Sequence, residues 1–312
     1  MHSYDEILEI ANEILSGDNP WAVESKDHDP LRRAHEATLV SLLRFVEEYY
    51  PEHFSEVTRS LKAGSSFLDK MSELFVLYGV HPWSRHPYMI PWSYSVEYNP
   101  SKGSPDLRIK YDEQTTVGIE VTRVTATEPF DHSADNALQS VEKRISPYMK
   151  KVNAKMEEKV GKFGDCTVKV IAVDITDYLY KVFFMPEPEL MCPQLDHYLY
   201  GQAVALIDPA GTSGAFFTRD PHILPAIEGT DVDAFFPLHP DVAAVIHLWQ
   251  RCLSASGPDG HGDCLSTVHF RIVRSPYSPD ETQLPLDLAF ALCHVMNEGK
   301  PFTVSQLQNY VI

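Results

Sequence analysis

A chain of 312 residues with 44% hydrophobic and 22% charged residues has the balance of a globular protein with room for a sizeable core. No run approaches the ~18 to 20 consecutive apolar residues of a membrane span, and "MHSYDEILEIANEIL" lacks the basic-then-apolar layout of a secretory signal, so the expectation is a cytoplasmic protein with no membrane partner. The net charge of −18 counts against indiscriminate nucleic-acid binding, because a polyanion is repelled by a field of like sign, and any nucleic-acid surface must be local.

In chain order, Ser3 and Glu6 stand in capping-box spacing ahead of Ile7, Ile10, Ala11 and Ile14, which predicts a helix. Leu39, Leu42, Leu43 and Val46 predict a second over 31–50, closed by Pro51, and "SFLDKMSELFVLYG" a third from Ser66 to Tyr78 with Gly79 as its stop. The Pro- and aromatic-rich "HPWSRHPYMIPWSYSVEYNPSKG" reads as a loop leading into a short strand at Tyr94 to Tyr98. "DLRIKYD" and "TVGIEVTRV" read as strands joined by the turn "DEQT". Residues 137–160 read as helix interrupted at Pro147, and "TVKVIAVDIT" as a strand buried on both faces. Farther on, "LDHYLYGQAVALI" and "DVAAVIHLWQRCL" read as helices, "STVHFRIVRSP" as a strand and "PLDLAFALCHVM" as helix.

The five cysteines, Cys166, Cys192, Cys252, Cys264 and Cys293, are irregularly spaced with no CxxC pair, which suits reduced core residues rather than a disulfide framework or a zinc knuckle. Asp174 and Asp177 in "VDITDY" fall at a strand end, where capping the next turn explains them.

Side chains alternate along a strand, so Asp106, Arg108 and Lys110 share one face, and Glu120 and Thr122 share a face of the next strand. If the two strands pair through "DEQT", Asp106 and Glu120 come within reach of one ion; the same pattern also suits an ordinary hairpin. Two carboxylates and a backbone carbonyl such as that of Val121 are the hard oxygen donors Mg²⁺ or Mn²⁺ prefers, with positions left for water and a phosphate. The chemistry that follows is phosphodiester hydrolysis.

Pro105-Asp106, thirteen intervening residues and then Glu120-Val121-Thr122 resemble the PD-(D/E)xK nuclease superfamily over residues 66–180. The resemblance implies an α/β restriction-endonuclease-like core, a mixed central sheet flanked by helices, over 66–180. An N-terminal helical segment would precede it at 1–65, and a C-terminal α/β extension at 181–312 would complete the same domain. It implies Asp106 and Glu120 as metal ligands with the Val121 carbonyl, Glu73 as the assisting acid from the preceding helix, DNA as the partner, Mg²⁺ or Mn²⁺ as the cofactor, and pairing into a homodimer. Position 122 departs from the pattern: Thr122 stands where the family has the Lys that orients the attacking water, and a hydroxyl brings no positive charge. Lys110, Arg123, Lys143 and Arg108 are candidates to replace it, with Lys110 first because it shares a face with Asp106.

Seven of the 26 Lys and Arg residues gather between 143 and 162, and Arg144, Lys151, Lys155, Lys159 and Lys162 recur at helical spacing, a basic stripe suited to a phosphate backbone or equally to a solvated helix face. The alternative to a nuclease is a protein that keeps the nuclease fold for binding or scaffolding after losing turnover, motivated by the missing Lys and the negative charge.

Overall fold

Ser3 caps the first helix as its spacing predicts: its hydroxyl accepts from Glu6 N at 3.3 Å while the Glu6 carboxylate accepts from Ser3 N at 2.6 Å. In this computed structural model, which describes residues 1–27, 29–82, 94–99, 103–125, 150–177, 196, 198–200, 202–206, 216–220, 222–223, 232–256, 262–289 and 292, the N-terminal third is helical. It comprises α1 (Tyr4–Ile14), α2 (Pro20–Glu24), α3 (Asp29–Tyr49), α4 (Phe54–Lys62) and α5 (Phe67–Val80). Helix α5 runs through Gly79 rather than stopping there, because that turn is buried and its neighbours Tyr78 and Val80 pack into the core. None of the described helices is long and apolar enough to cross a membrane.

The main sheet contains β1 (Ser95–Tyr98), β2 (Leu107–Lys110), β3 (Thr116–Arg123), β4 (Val168–Asp174), β9 (Val242–Ser256) and β10 (Gly262–Arg274), in the order β1-β2-β3-β4-β9-β10. Pairing is antiparallel at β1/β2, β2/β3 and β9/β10 and parallel at β3/β4 and β4/β9, so this is a mixed, open α/β sheet. A helix over 150–160 lies in the crossover between β3 and β4. Two small ribbons stand apart, β5 (Gln202–Leu206) with β6 (Phe216–Asp220) and β7 (His222–Ile223) with β8 (Val232–Asp233).

The sheet divides two cores. Leu107, Ile109, Val117, Ile119, Val170 and Ile272 pack beneath α1 and α3–α5, whereas Ile171, Val173, Val245 and Val273 pack on the opposite face with Val152, Met156 and Phe163 of the crossover. Strand β1 is tied to the helices by Tyr50 Oη donating to Val96 O at 3.1 Å and by Tyr94 Oη donating to Val80 O at 2.7 Å.

One expected helix is strand instead, and a second is helix at 196 and 198–200 and strand from 202. "DVAAVIHLWQRCL" forms most of β9, and "QAVAL" at the end of the other segment forms β5. In β9 the apolar residues face both ways, into the two cores, because side chains alternate along a strand and both faces of the sheet are covered; a continuous apolar run carries no period to separate helix from buried strand. The strand predicted at "STVHFRIVRSP" is β10, and the helix predicted at "PLDLAFALCHVM" is described only at 286–289 and 292.

A candidate active site at the end of strand β2

The antiparallel register pairs Leu107 with Ile119, so Asp106, one step beyond, faces Glu120 across the strands on the same side of the sheet. Strand β2 ends there, which leaves the edge of β3 open: Val121 N donates to Asp106 Oδ2 at 2.8 Å, in place of a ladder partner. A residue's N–H and C=O point to the same edge of its strand, so the Val121 carbonyl faces the same gap.

The third group is Lys159, from the 150–160 helix. Its ammonium lies 2.8 Å from Glu120 Oε2 and 3.6 Å from Asp106 Oδ2, so the two carboxylate oxygens can be no farther apart than the sum of these distances. Lys159 is placed by close packing. Gly118, two residues before Glu120 on the same face, is overlain by Phe163 and Cys166, and a Cβ there would stand 2.9 Å from Cys166 Sγ and 3.0 Å from Phe163 Cδ1. The chain leaving the helix is thereby held against β3, and Lys159 reaches in over Glu120.

Glu73 approaches from α5. Its carboxylate is bonded by the Lys70 ammonium and by Tyr98 Oη, the latter at 3.1 Å. Burial raises the Glu73 pKa and the charge of Asp106 adds to the rise, against the pull of Lys70. Glu120 is raised in the same way, by burial first and Asp106 second, with Lys159 opposing. For Lys159, burial works against the charged form, but Asp106, Glu120 and Glu73 outweigh it and raise the pKa. The cluster thus sets three carboxylates, Asp106, Glu120 and Glu73, against the ammonium groups of Lys159 and Lys70.

The other predicted residues lie as follows. Thr122 is buried on the Glu120 face, two residues on. Lys110 shares the face of Asp106 but is four residues along the strand, about 13 Å away, and its ammonium pairs with Glu97 of β1 at 2.5 Å. Arg108 pairs with Asp165, and Arg123 with Asp174 and Asp177. Lys151 and Lys155 are on the 150–160 helix, where Lys155 pairs with Glu158 at 2.7 Å. Arg144 and Lys143 lie outside the described residues. Lys159, expected on a phosphate-binding stripe, instead reaches the carboxylates; its spacing placed it on a helix face, but nothing local in the sequence indicated which way that face turned.

Among the described residues no group of three or more His, Cys, Asp and Glu side chains is arranged to hold a metal. The donors suited to a divalent ion are the Asp106 and Glu120 carboxylates and the Val121 carbonyl, all hard oxygens, and water and a phosphate oxygen would complete the shell. These residues fit Mg²⁺ or Mn²⁺ chemistry. Comparisons with family models, curated proteins and solved structures each return no match.

Proposed function

We propose that this chain is a metal-dependent nuclease that hydrolyses DNA phosphodiester bonds, built on a restriction-endonuclease-like core with a PD-(D/E)xK-like site. One observation carries the reading: Lys159 contacts both Asp106 and Glu120, which supplies from a helix the positive charge that Thr122 lacks. Asp106, Glu120 and the Val121 carbonyl would hold Mg²⁺ or Mn²⁺, which when bound acts as a Lewis acid on a phosphoryl oxygen and lowers the pKa of water.

The protein's own groups do the rest. The Lys159 ammonium, held on one side by the carboxylates, has donors left to orient the attacking water and to offset negative charge growing on the phosphate. Asp106 is oriented by Val121 N–H, so its carboxylate needs little reorganisation to engage a cation. Glu73, fixed by Tyr98 and Lys70, adds negative potential from behind. The Lys159 bridge also favours the second reading, a nuclease-fold binding protein without turnover, since an internal ammonium already balances both acids.

The test is cleavage of plasmid and linear DNA with Mg²⁺ or Mn²⁺, together with Mn²⁺ binding. Wild type is expected to bind Mn²⁺ and cut, and Asp106→Ala and Glu120→Ala to lose both. A folded wild type that binds DNA without cutting it, with or without Mn²⁺ bound, identifies the second reading; one that binds neither DNA nor a divalent ion overturns both.

A further inference from the structure

On the same sheet face as Glu120, but two and three strands away, β9 and β10 carry a second polar group. Their register sets His247 opposite Arg271 and Trp249 opposite His269, a two-by-two patch of side chains inside the sheet's second core. His247, Trp249 and Arg271 are 1%, 4% and 5% exposed. Asp196 Oδ2 accepts from Arg271 Nη2 at 3.0 Å, and Oδ1 lies 2.9 Å from the same nitrogen as an ion pair. That leaves the donors Arg271 Nε and Nη1, Trp249 Nε1 and His247 Nδ1, and the acceptor Asp196 Oδ1, buried with no hydrogen-bond partner among the described residues.

Buried polar atoms are nearly always paired, and leaving each of these unpaired costs about 1–3 kcal/mol. Such a set side by side therefore points to a missing occupant. Its chemistry follows from the donors. A guanidinium and an indole N–H can only donate, and together they present more hydrogens than the two lone pairs of one water can accept. Burial and the neighbouring Arg271 charge keep His247 neutral, with a pKa lowered to about 3, so its imidazole can give an N–H through Nδ1. An oxyanion of the phosphate type has acceptors for all of these, and Arg271 is the side chain whose geometry suits it best.

We propose that Arg271, Trp249 and His247 form a binding site for a phosphate-type oxyanion, with Asp196 as the residue that orients the guanidinium. The anion is either a free small phosphate compound or one phosphodiester of a nucleic-acid backbone. The site does not depend on the nuclease reading: it uses none of Asp106, Glu120 or Lys159.

The experiment is thermal melting of the full chain in EDTA, titrated with inorganic phosphate against chloride at matched ionic strength. Phosphate is expected to raise Tm saturably and chloride not to. Trp249→Phe removes the N–H with the five-membered ring and keeps a six-membered ring against His269, with which Trp249 stacks at 5.6 Å; it should weaken phosphate binding about tenfold. The double variant Asp196→Asn/Arg271→Gln replaces the ion pair with an amide pair and should abolish saturation. Asp106→Ala should respond as wild type does, so failure of the nuclease reading leaves this result untouched. Adding a short oligonucleotide without terminal phosphate separates the sources: displacement of inorganic phosphate identifies a backbone phosphodiester, and no displacement a free phosphate compound. The proposal is overturned if wild type melts identically in phosphate and chloride, as a site filled by water would, or if Trp249→Phe and the double variant both bind phosphate with wild-type affinity.

Discussion

Strand β3 carries two buried charge clusters three residues apart on opposite faces, and they are balanced differently. Arg123 reaches Asp174 at 2.7 Å and Asp177 at 2.8 Å, while Asp174 also accepts from Ser72 Oγ and from Thr176 N and Oγ1, the latter two at 2.9 and 2.6 Å. Thr176 in turn accepts from Gln250 N, so this cluster joins α5, β3, β4 and β9 and has a partner for each Asp174 oxygen. Around Glu120, by contrast, Asp106 and Glu120 share one ammonium, and both Glu73 and Glu120 are pushed toward their neutral forms. The first arrangement is a fastening. The second has the same two carboxylates to one cation but fewer neutral donors around them, which leaves carboxylate lone pairs for a further cation.

The sharpest break of this comparison is Arg123→Ala. It strands two buried carboxylates and should cost about 3–5 kcal/mol in denaturant unfolding, an effect that a divalent ion does not relieve. Asp106→Ala and Lys159→Met should behave in the opposite way. Each is expected to lower DNA cleavage by about 10²- to 10³-fold, the range for losing one preorganised electrostatic contact, with Asp106→Ala unfolding close to wild type in EDTA.

Gly118→Ala sharpens the link between packing and site. The added Cβ must push back Phe163 and Cys166, costing about 1–3 kcal/mol by overpacking and shifting the helix that carries Lys159. Cleavage should fall further than the lost stability accounts for, measured under conditions where the variant remains folded.

The smallest effect is Glu73→Gln. Because the folded pKa of Glu73 lies above its unfolded value, the folded state favours the protonated form. Its contribution to stability is fully present below the ordinary glutamate range and is lost as pH rises through the folded pKa. The neutral variant should therefore melt a few degrees above wild type at pH 8, and the difference should vanish below about pH 4. A variant that melts lower at pH 8 would mean that Lys70 and Tyr98 make Glu73 a fastening as well.

The two acids of the site were legible because a strand has a period of two. Assigning Asp106 and Glu120 to neighbouring strands joined by "DEQT" leaves the register open, and the structure sets it with a turn in which Asp112 Oδ1 accepts from Gln114 N and Thr115 N at 2.8 and 2.6 Å. The turn reading of Asp174 was equally local, because its carboxylate bonds a backbone N–H two residues on. Its ion pair with Arg123 was not visible, since the partner lies 51 positions away on another strand. Strand β9 carries the sequence pattern expected of a helix because both of its faces are covered, which erases the alternation that marks a half-exposed strand.

By itself the amino-acid sequence determined what depends on near neighbours: the cap of α1 and the strands β2 and β3 with their turn, with Asp106 and Glu120 as candidates to meet across them. The tertiary structure decided the rest. It selected Lys159 over Lys110 as the cation beside those acids, placed β9 and β10 in the same sheet as β3, and set Arg271 and Trp249 on the face that Glu120 occupies. The reason is distance along the chain. Backbone period and turn chemistry act over a few residues, whereas a crossover helix is oriented only when its apolar side closes against the sheet, and that choice is made by every residue of the core together.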